Sequence, residues 1–246
     1  MPGNNNALNN ISGASNSGST NSFTITNPSN TASSAARTII TVGGVSAADP
    51  TLNFNVSGAT DWEMGIDNND SDKWKLSQGT ALGTNDSIVA FTTGEILKPL
   101  QPAFSAFLTA TDTNVTGDGT IYPLSGFTEY FDINSDFNAA TGTFTAPVAG
   151  IYWFNLNLRG RDFGAAHTTW TLRLHASVAG IRQLFNVDPR SVFNTVTNEL
   201  TSSTPHIFSL AAGETVIVEV ESAGGPKTVD VEGGAGSTIF QGYLLG

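Results

Sequence analysis

Three histidines, His167, His175 and His206, are the side chains best able to move protons or hold a metal near neutral pH, and no two of them stand at metal-ligand spacing. No Gly-x-Ser-x-Gly elbow and no zincin motif is present. Serine, histidine and aspartate are plentiful, but a triad needs a convergence that sequence does not display. The expectation is a protein that is not an enzyme. The cluster Asp67, Asn68, Asn69, Asp70 and Asp72 has the composition of a calcium loop. Counted from Asp67, however, the position where an EF-hand carries glutamate holds Gln78. The preferred reading is a tight polar turn between strands bearing Trp62 and Trp74. In RGRDFGAAHTTW (159–170), Arg159, Arg161, Phe163 and His167 stand out in a chain with only 10 basic residues. Arginine and aromatics are enriched at binding hot spots. With Lys227, in the Gly-rich stretch SAGGPKTVDVEGGAGS (222–237), they make up a candidate surface-binding set. The competing reading of the arginines is pairing with acids of another subunit.

Composition narrows the partners. The 246 residues carry 21 acids and 10 bases, a formal charge of −11, which disfavours a phosphate backbone and so nucleic acid. Cysteine is absent, so packing or subunit contacts must stabilise the fold. No apolar run reaches the roughly 18 residues of a transmembrane helix, and no membrane insertion is expected. The N-terminal MPGNNNALNNISGASNSGST has no basic region followed by an apolar core, so no signal peptide is read there.

The elements that must position these residues are strands. Residues 1–35 hold few apolar residues and read as an extended anchoring arm that a partner surface orders. Residues 36–97 read as a small β module of short strands: TIITV (38–42), TLNFNV (51–56), WEMGI (62–66), KWKLS (73–77) and SIVAF (87–91), with turn residues between them. Alternation places Leu52, Phe54 and Val56 on one side of a strand, and Trp74 with Leu76 likewise. From 98 to 246 the strands lengthen. Tyr152, Phe154, Leu156 and Leu158 share one face, and Trp153, Asn155 and Asn157 the other. Trp170, Leu172 and Leu174 alternate with Thr171, Arg173 and His175, and Val216, Val218 and Val220 alternate with Glu219 and Glu221. No helical period of useful length occurs. The fold class is all-β, with a two-sheet antiparallel sandwich or jelly roll of about ten strands at the C-terminus. Pro147 and Gly150 are read as a corner joining two strands, with Gly150 supplying a positive φ.

Four ordered segments carry a resemblance. PAFSAFL (102–108), FNAATGTFTAPVAGIYWFN (137–155), LAAGETVIVEVE (210–221) and STIFQGYLLG (237–246) resemble strands of the globular head of the complement C1q family, within the tumour-necrosis-factor-like superfamily. The resemblance implies a ten-stranded jelly roll and a homotrimer. It implies core or interface roles for Phe144, Tyr152, Phe154, Phe240, Gly242 and Leu244; Phe104, Trp153, Trp170 and Tyr243, on the same strands and their neighbours, complete the core or trimer-forming candidates. It allows calcium on the head, and Asp112, Asp118, Asp162, Asp188 and Asp230 are the loop acids there, none of which sequence places as a ligand. No collagen-like Gly-x-y repeat precedes the head. Instead GATDWEMGIDNNDSDKWKLSQGTALGTNDSIVAFTTGEI (58–96) resembles short modules of phage and virus fibre proteins.

Arm, module and head together lead to one expectation. The chain is a non-enzymatic trimeric fibre or spike of a virus particle, of a bacteriophage type. Residues 1–35 attach to other virion proteins, and the head is exposed to a host-surface glycan or protein. No cofactor is assigned, and the location is the virion. The alternatives are a purely structural capsid, neck or tail component, a secreted ligand of the complement-head type, and a polysaccharide-degrading spike enzyme.

Overall fold

The computed structural model describes residues 24–192 and 196–246. Most of the predicted anchoring arm, residues 1–23, lies outside the described residues; residues 24–35 form neither strand nor helix and are almost entirely exposed.

The module is a single antiparallel sheet in sequential order: β1 (Thr51–Phe54), β2 (Trp62–Asp67), β3 (Lys73–Gln78), β4 (Asp86–Ala90) and β5 (Ile96–Leu97). The register puts Leu52, Met64, Leu76 and Ile88 in one cross-strand row, and Ile66, Trp74, Ala90 and Ile96 in the next. Glu63, Ser77 and Asp86 align on the opposite face. The strand expected over 38–42 is absent: TIITV has no ladder partner and Ile39 is exposed. Its β-branched residues satisfy propensity, but they form no ladder with the free edge of β1; Thr38 and Ile40 lie instead beside Leu52, Met64, Ile66 and Trp74.

The head is a two-sheet sandwich. Its first sheet is ordered β10 (Phe137–Asn138), β11 (Thr143–Thr145), β16 (Thr215–Ala223), β13 (Thr169–Ala176), β14 (Gly180–Val187), and β8 (Ile121–Pro123) pairs on the β11 edge of β16. Its second sheet is ordered β7 (Asp112–Thr116), β17 (Val229–Val231), β12 (Gly150–Arg161), β18 (Ile239–Leu244), β6 (Ala103–Leu108), β9 (Phe127–Ile133), with β15 (Leu200–Leu210) along the other edge of β12. Among the described residues the head therefore has thirteen strands, β6 to β18, where about ten were expected. The surplus comes from short pieces such as β8, β10 and β17, each two or three residues long, which share the edges of long strands and which alternation over so few residues cannot reveal. The 222–237 segment is correspondingly no free Gly-rich tip. It contains β17, and Val229 and Val231 are fully buried.

Between the sheets lies an aromatic core. Phe104 stacks on Phe137 at 4.5 Å and on Phe144 at 5.3 Å; Phe154 lies 5.9 Å from Phe240 and 5.3 Å from Phe144. Gly242 sits opposite Phe154 in the ladder, and a Cβ there would come within 2.5 Å of that ring. The corner at Pro147 passes the chain from β11 in one sheet to β12 in the other. Gly150 does not supply a positive φ there. It opens β12, and glycine is required because a Cβ would lie 2.7 Å from Leu244. The Tyr152 hydroxyl reaches back to donate to the Val148 carbonyl at 2.8 Å, which fixes the corner.

Candidate functional site

Arg159 and Arg161 are two residues apart on β12 and so project on the same side of the sheet. Both meet the same two carboxylates. Arg159 pairs with Glu199 and lies 3.1 Å from Glu232; Arg161 lies 3.4 Å from Glu199 and 3.5 Å from Glu232. The Arg159 hydrogen bond holds the Glu199 carboxyl below its usual pKa. The acids that answer these arginines thus come from the same chain. Beyond them the chain turns back at Asp162, whose φ is 60°, and drives Phe163 into the sandwich. Phe163 is 1% exposed and sits edge-on to Trp170 at 5.1 Å. His167 is equally buried: its Nδ1 accepts from the Gly164 amide at 2.8 Å, and its Nε2 faces the Pro226 carbonyl at 3.0 Å as a donor. Phe163 and His167 are therefore packing residues and not surface-binding ones. Burial of the aromatic ring and satisfaction of both imidazole nitrogens outweigh exposure of a polar loop. Lys227 stays exposed.

The acidic turn builds a second polar cluster. Asp67, Asp70 and Asp86 converge on the Lys75 ammonium at 2.8, 2.7 and 3.3 Å, and Lys73 adds a 2.7 Å pair with Asp70. Ser71 and Asp72 both adopt left-handed backbone conformations, so the stretch is the tight polar turn expected from its sequence. Lys75 is only 3% exposed. Burial works against its charge, but hydrogen bonds with Asp67, Asp70 and Asp86 outweigh that and raise its pKa. The pKa of Asp70 is lowered by its bonds to Lys73 and Lys75. In Asp86 burial is overcome by bonds from Ser77, Gly83 and Lys75, and its pKa is lowered too.

Of the head acids singled out in the sequence, Asp112 and Asp230 lie on strands β7 and β17 and not in loops. Asp230 accepts from the Asn114 amide at 2.7 Å. An acid that sequence reasoning passed over is more perturbed: burial first, and the neighbouring Asp132 second, push Asp136 up to about 6. Asp132 itself accepts the amides of Asp136 and Phe137 at 3.2 and 3.0 Å.

The remaining candidates divide by face. Phe104, Phe144, Tyr152, Phe154, Trp170 and Phe240 are within the core, all 1% exposed or less. Trp153 and Tyr243 lie on the outer face of the second sheet, ring centroids 5.1 Å apart, and Leu244 is half-buried at its end. The ladders place Ile207 beside Trp153, Ala103 beside Tyr243, and Phe131 beside Ser105. Tyr243, Phe131 and Ile207 are 43, 51 and 55% exposed. Along β12 this outer face changes character: Ile151 and Trp153 first, then Asn155 and Asn157, then Arg159 and Arg161. The apolar end is the one nearer the module. A groove of about 530 Å³ joins Ile96 and Leu97 of β5 to Ala103, Ile133 and Tyr243 of the head. Ile207 and Phe131 were missed because each is one residue beside an inward-facing aromatic or acid. Alternation in HIFSL marks Phe208 as core and leaves its neighbour looking like ordinary surface.

Residues 103–245 match the model of the C1q domain family. Among solved structures, the globular domain of zebrafish complement 1qA protein is 26% identical, with 59% of this chain and 98% of that one covered and a TM-score of 0.43. Murine APRIL is 11% identical, with 59% and 99% covered and a TM-score of 0.43. No curated protein sequence matches the chain.

Proposed function

From the premise that the chain belongs to the C1q domain family, we propose that it is a non-enzymatic homotrimer serving as a fibre or spike of a virus particle, of a bacteriophage type. The observation that carries the reading is the apolar end of the outer head face. Trp153, Tyr243, Ile207 and Phe131 lie together on one sheet while the charged residues of that face are confined to its far end. A face of this kind is what a closed threefold assembly buries. Full burial of an aliphatic or aromatic side chain is worth about 1.5–3 kcal/mol. Domains of this family commonly self-associate into trimers and are generally non-enzymatic, which supports both parts of the reading. The particle context rests on the resemblance of 58–96 to fibre modules; residues 1–35 then attach to other virion proteins and the head meets a host-surface glycan or protein. Three weak head sites per trimer would add by avidity.

Family membership also favours a second reading, a secreted ligand of the complement-head type. Light scattering should give about three times the 25.7 kDa chain mass. Changing Trp153→Glu together with Tyr243→Glu should reduce it to the monomer. A monomeric wild type at micromolar concentration refutes the trimer. Immunogold labelling of purified particles separates the readings: label on particles supports the fibre, and protein found only in the medium supports the ligand.

A further inference from the structure

The module is built inside out for a sheet that stands alone. On one face lie Leu52, Phe54, Trp62, Met64, Trp74 and Ile88, with Phe54 51% exposed and Leu52 42% exposed. On the other, Glu63, Asp67, Lys75 and Ser77 are buried, because the 67–73 turn and the 79–85 loop fold over them. Burying charge while leaving indole and aliphatic groups in water is unfavourable for an isolated sheet. Among the described residues only Thr38 and Ile40 border this face, beside Leu52, Met64, Ile66 and Trp74.

We propose that this face packs against the same face of two other copies of the chain, so that three modules close into an apolar prism below the head. The inference rests on the trimeric reading given above. Two observations select a second copy as the occupant. The first is continuity. Ile96 extends the apolar face row of Ile66, Trp74 and Ala90, and the same residue lines the groove whose other wall is Ala103, Ile133 and Tyr243 on the outer head face. The two apolar surfaces thus adjoin where the connection is short and tied down: the Gln101 amide donates to the Leu244 carbonyl at 2.5 Å, and the Asn134 amide to the Leu100 carbonyl at 2.6 Å. The second is size. Five strands about 4.8 Å apart, and about 13 Å of strand length, give a face of roughly 250 Å² in projection. A specific complex with a separate partner buries about 800 Å² on each side. Side-chain relief makes the accessible area of the module face larger than its projection, to about twice that, which is still short of about 800 Å². The face suffices as an extension of a head interface that already holds three copies together, where its effective concentration is high.

The test uses the full chain, which has no native cysteine. Nitroxide labels are placed on Asn53→Cys, exposed on the opposite face of the module, or on Val178→Cys, 79% exposed in the head. Distances within the trimer are measured by electron–electron double resonance. Three sheets packed about an axis should give a single narrow peak for the module label, between about 25 and 40 Å. Ile88→Lys should broaden that peak while the trimer mass and the head peak remain. A narrow head peak with a broad module distribution at wild-type sequence overturns the prism and leaves the trimer standing. A narrow module peak untouched by Ile88→Lys also overturns it, since the face would then not be the contact. Loss of coupling at both labels with a monomer mass marks failure of the trimeric reading itself.

Discussion

Lys75→Met is the sharpest test of the module's buried charge cluster. The lysine is the only cation within 4 Å of Asp67 and Asp86 among the described residues, and their side chains are 8 and 12% exposed. Methionine fills similar volume but leaves these two carboxylates facing each other, with Asp70 beside them. Breaking a buried ion pair by removing one partner costs about 3–5 kcal/mol. One side of this cluster is a solvent-facing turn, so the lower end, about 3 kcal/mol, applies. That is a large share of the stability of a module of this length, at about 0.1 kcal/mol per residue. Amide exchange read by mass spectrometry should show β2 to β4 exchanging faster by about two orders of magnitude, with the head strands unchanged. The pH dependence supplies a second check. Asp70 and Asp86 have lowered pKa values in the fold, so the wild-type module keeps their stabilisation above their ordinary value of 3.8 and loses it as the pH falls below that. In Lys75→Met the freed carboxylates gain by protonation, so acidification from neutral should instead raise the protection of β2 to β4, taken relative to the intrinsic exchange rate at each pH. Unchanged exchange of β2 to β4 at pH 7, or the wild-type sign of the pH effect in the variant, refutes the reasoning.

Two further predictions concern the head. Asp136 has a pKa raised from 3.8 to about 6, so the folded state binds the extra proton between those values, and head stability falls as pH rises from about 4 to about 6. Asp136→Asn should remove this slope and, after discounting for solvent screening, raise neutral-pH stability by about 1–2 kcal/mol in denaturant melts; an unchanged slope sinks the assignment. Phe163→Ala should cost about 3–5 kcal/mol as a cavity against Trp170, whereas Arg161→Ala, in a half-exposed network, should cost less than about 1 kcal/mol. Equal effects of the two substitutions would show that Phe163 is not core.

Much of the head was legible beforehand, because its long strands bury one face in full and alternate cleanly. Tyr152, Phe154, Leu156 and Leu158 are inward as their spacing demands, and Val216, Val218 and Val220 likewise. The candidate binding set was less legible. Arg159 and Arg161 find Glu199 and Glu232 some 40 and 70 residues away, a pairing that only the meeting of β12, β15 and β17 creates. Phe163 and His167 looked like loop residues because nothing local shows that the chain folds back over the core after Asp162. TIITV shows the converse: high strand propensity gives no strand where the segment forms no ladder, even beside the free edge of β1.

The module marks the boundary between the two kinds of information. The sequence by itself determined that it is made of short strands with two chemically distinct faces, since side chains alternate with a period of two. Only the tertiary structure decided which face is covered. Covering depends on where the turns fold, and here the turns bring carboxylates and Lys75 together on the charged side. The face carrying Leu52, Phe54 and Trp74 is left largely open, bordered among the described residues only by Thr38 and Ile40, because a single sheet has no second layer with which to bury it.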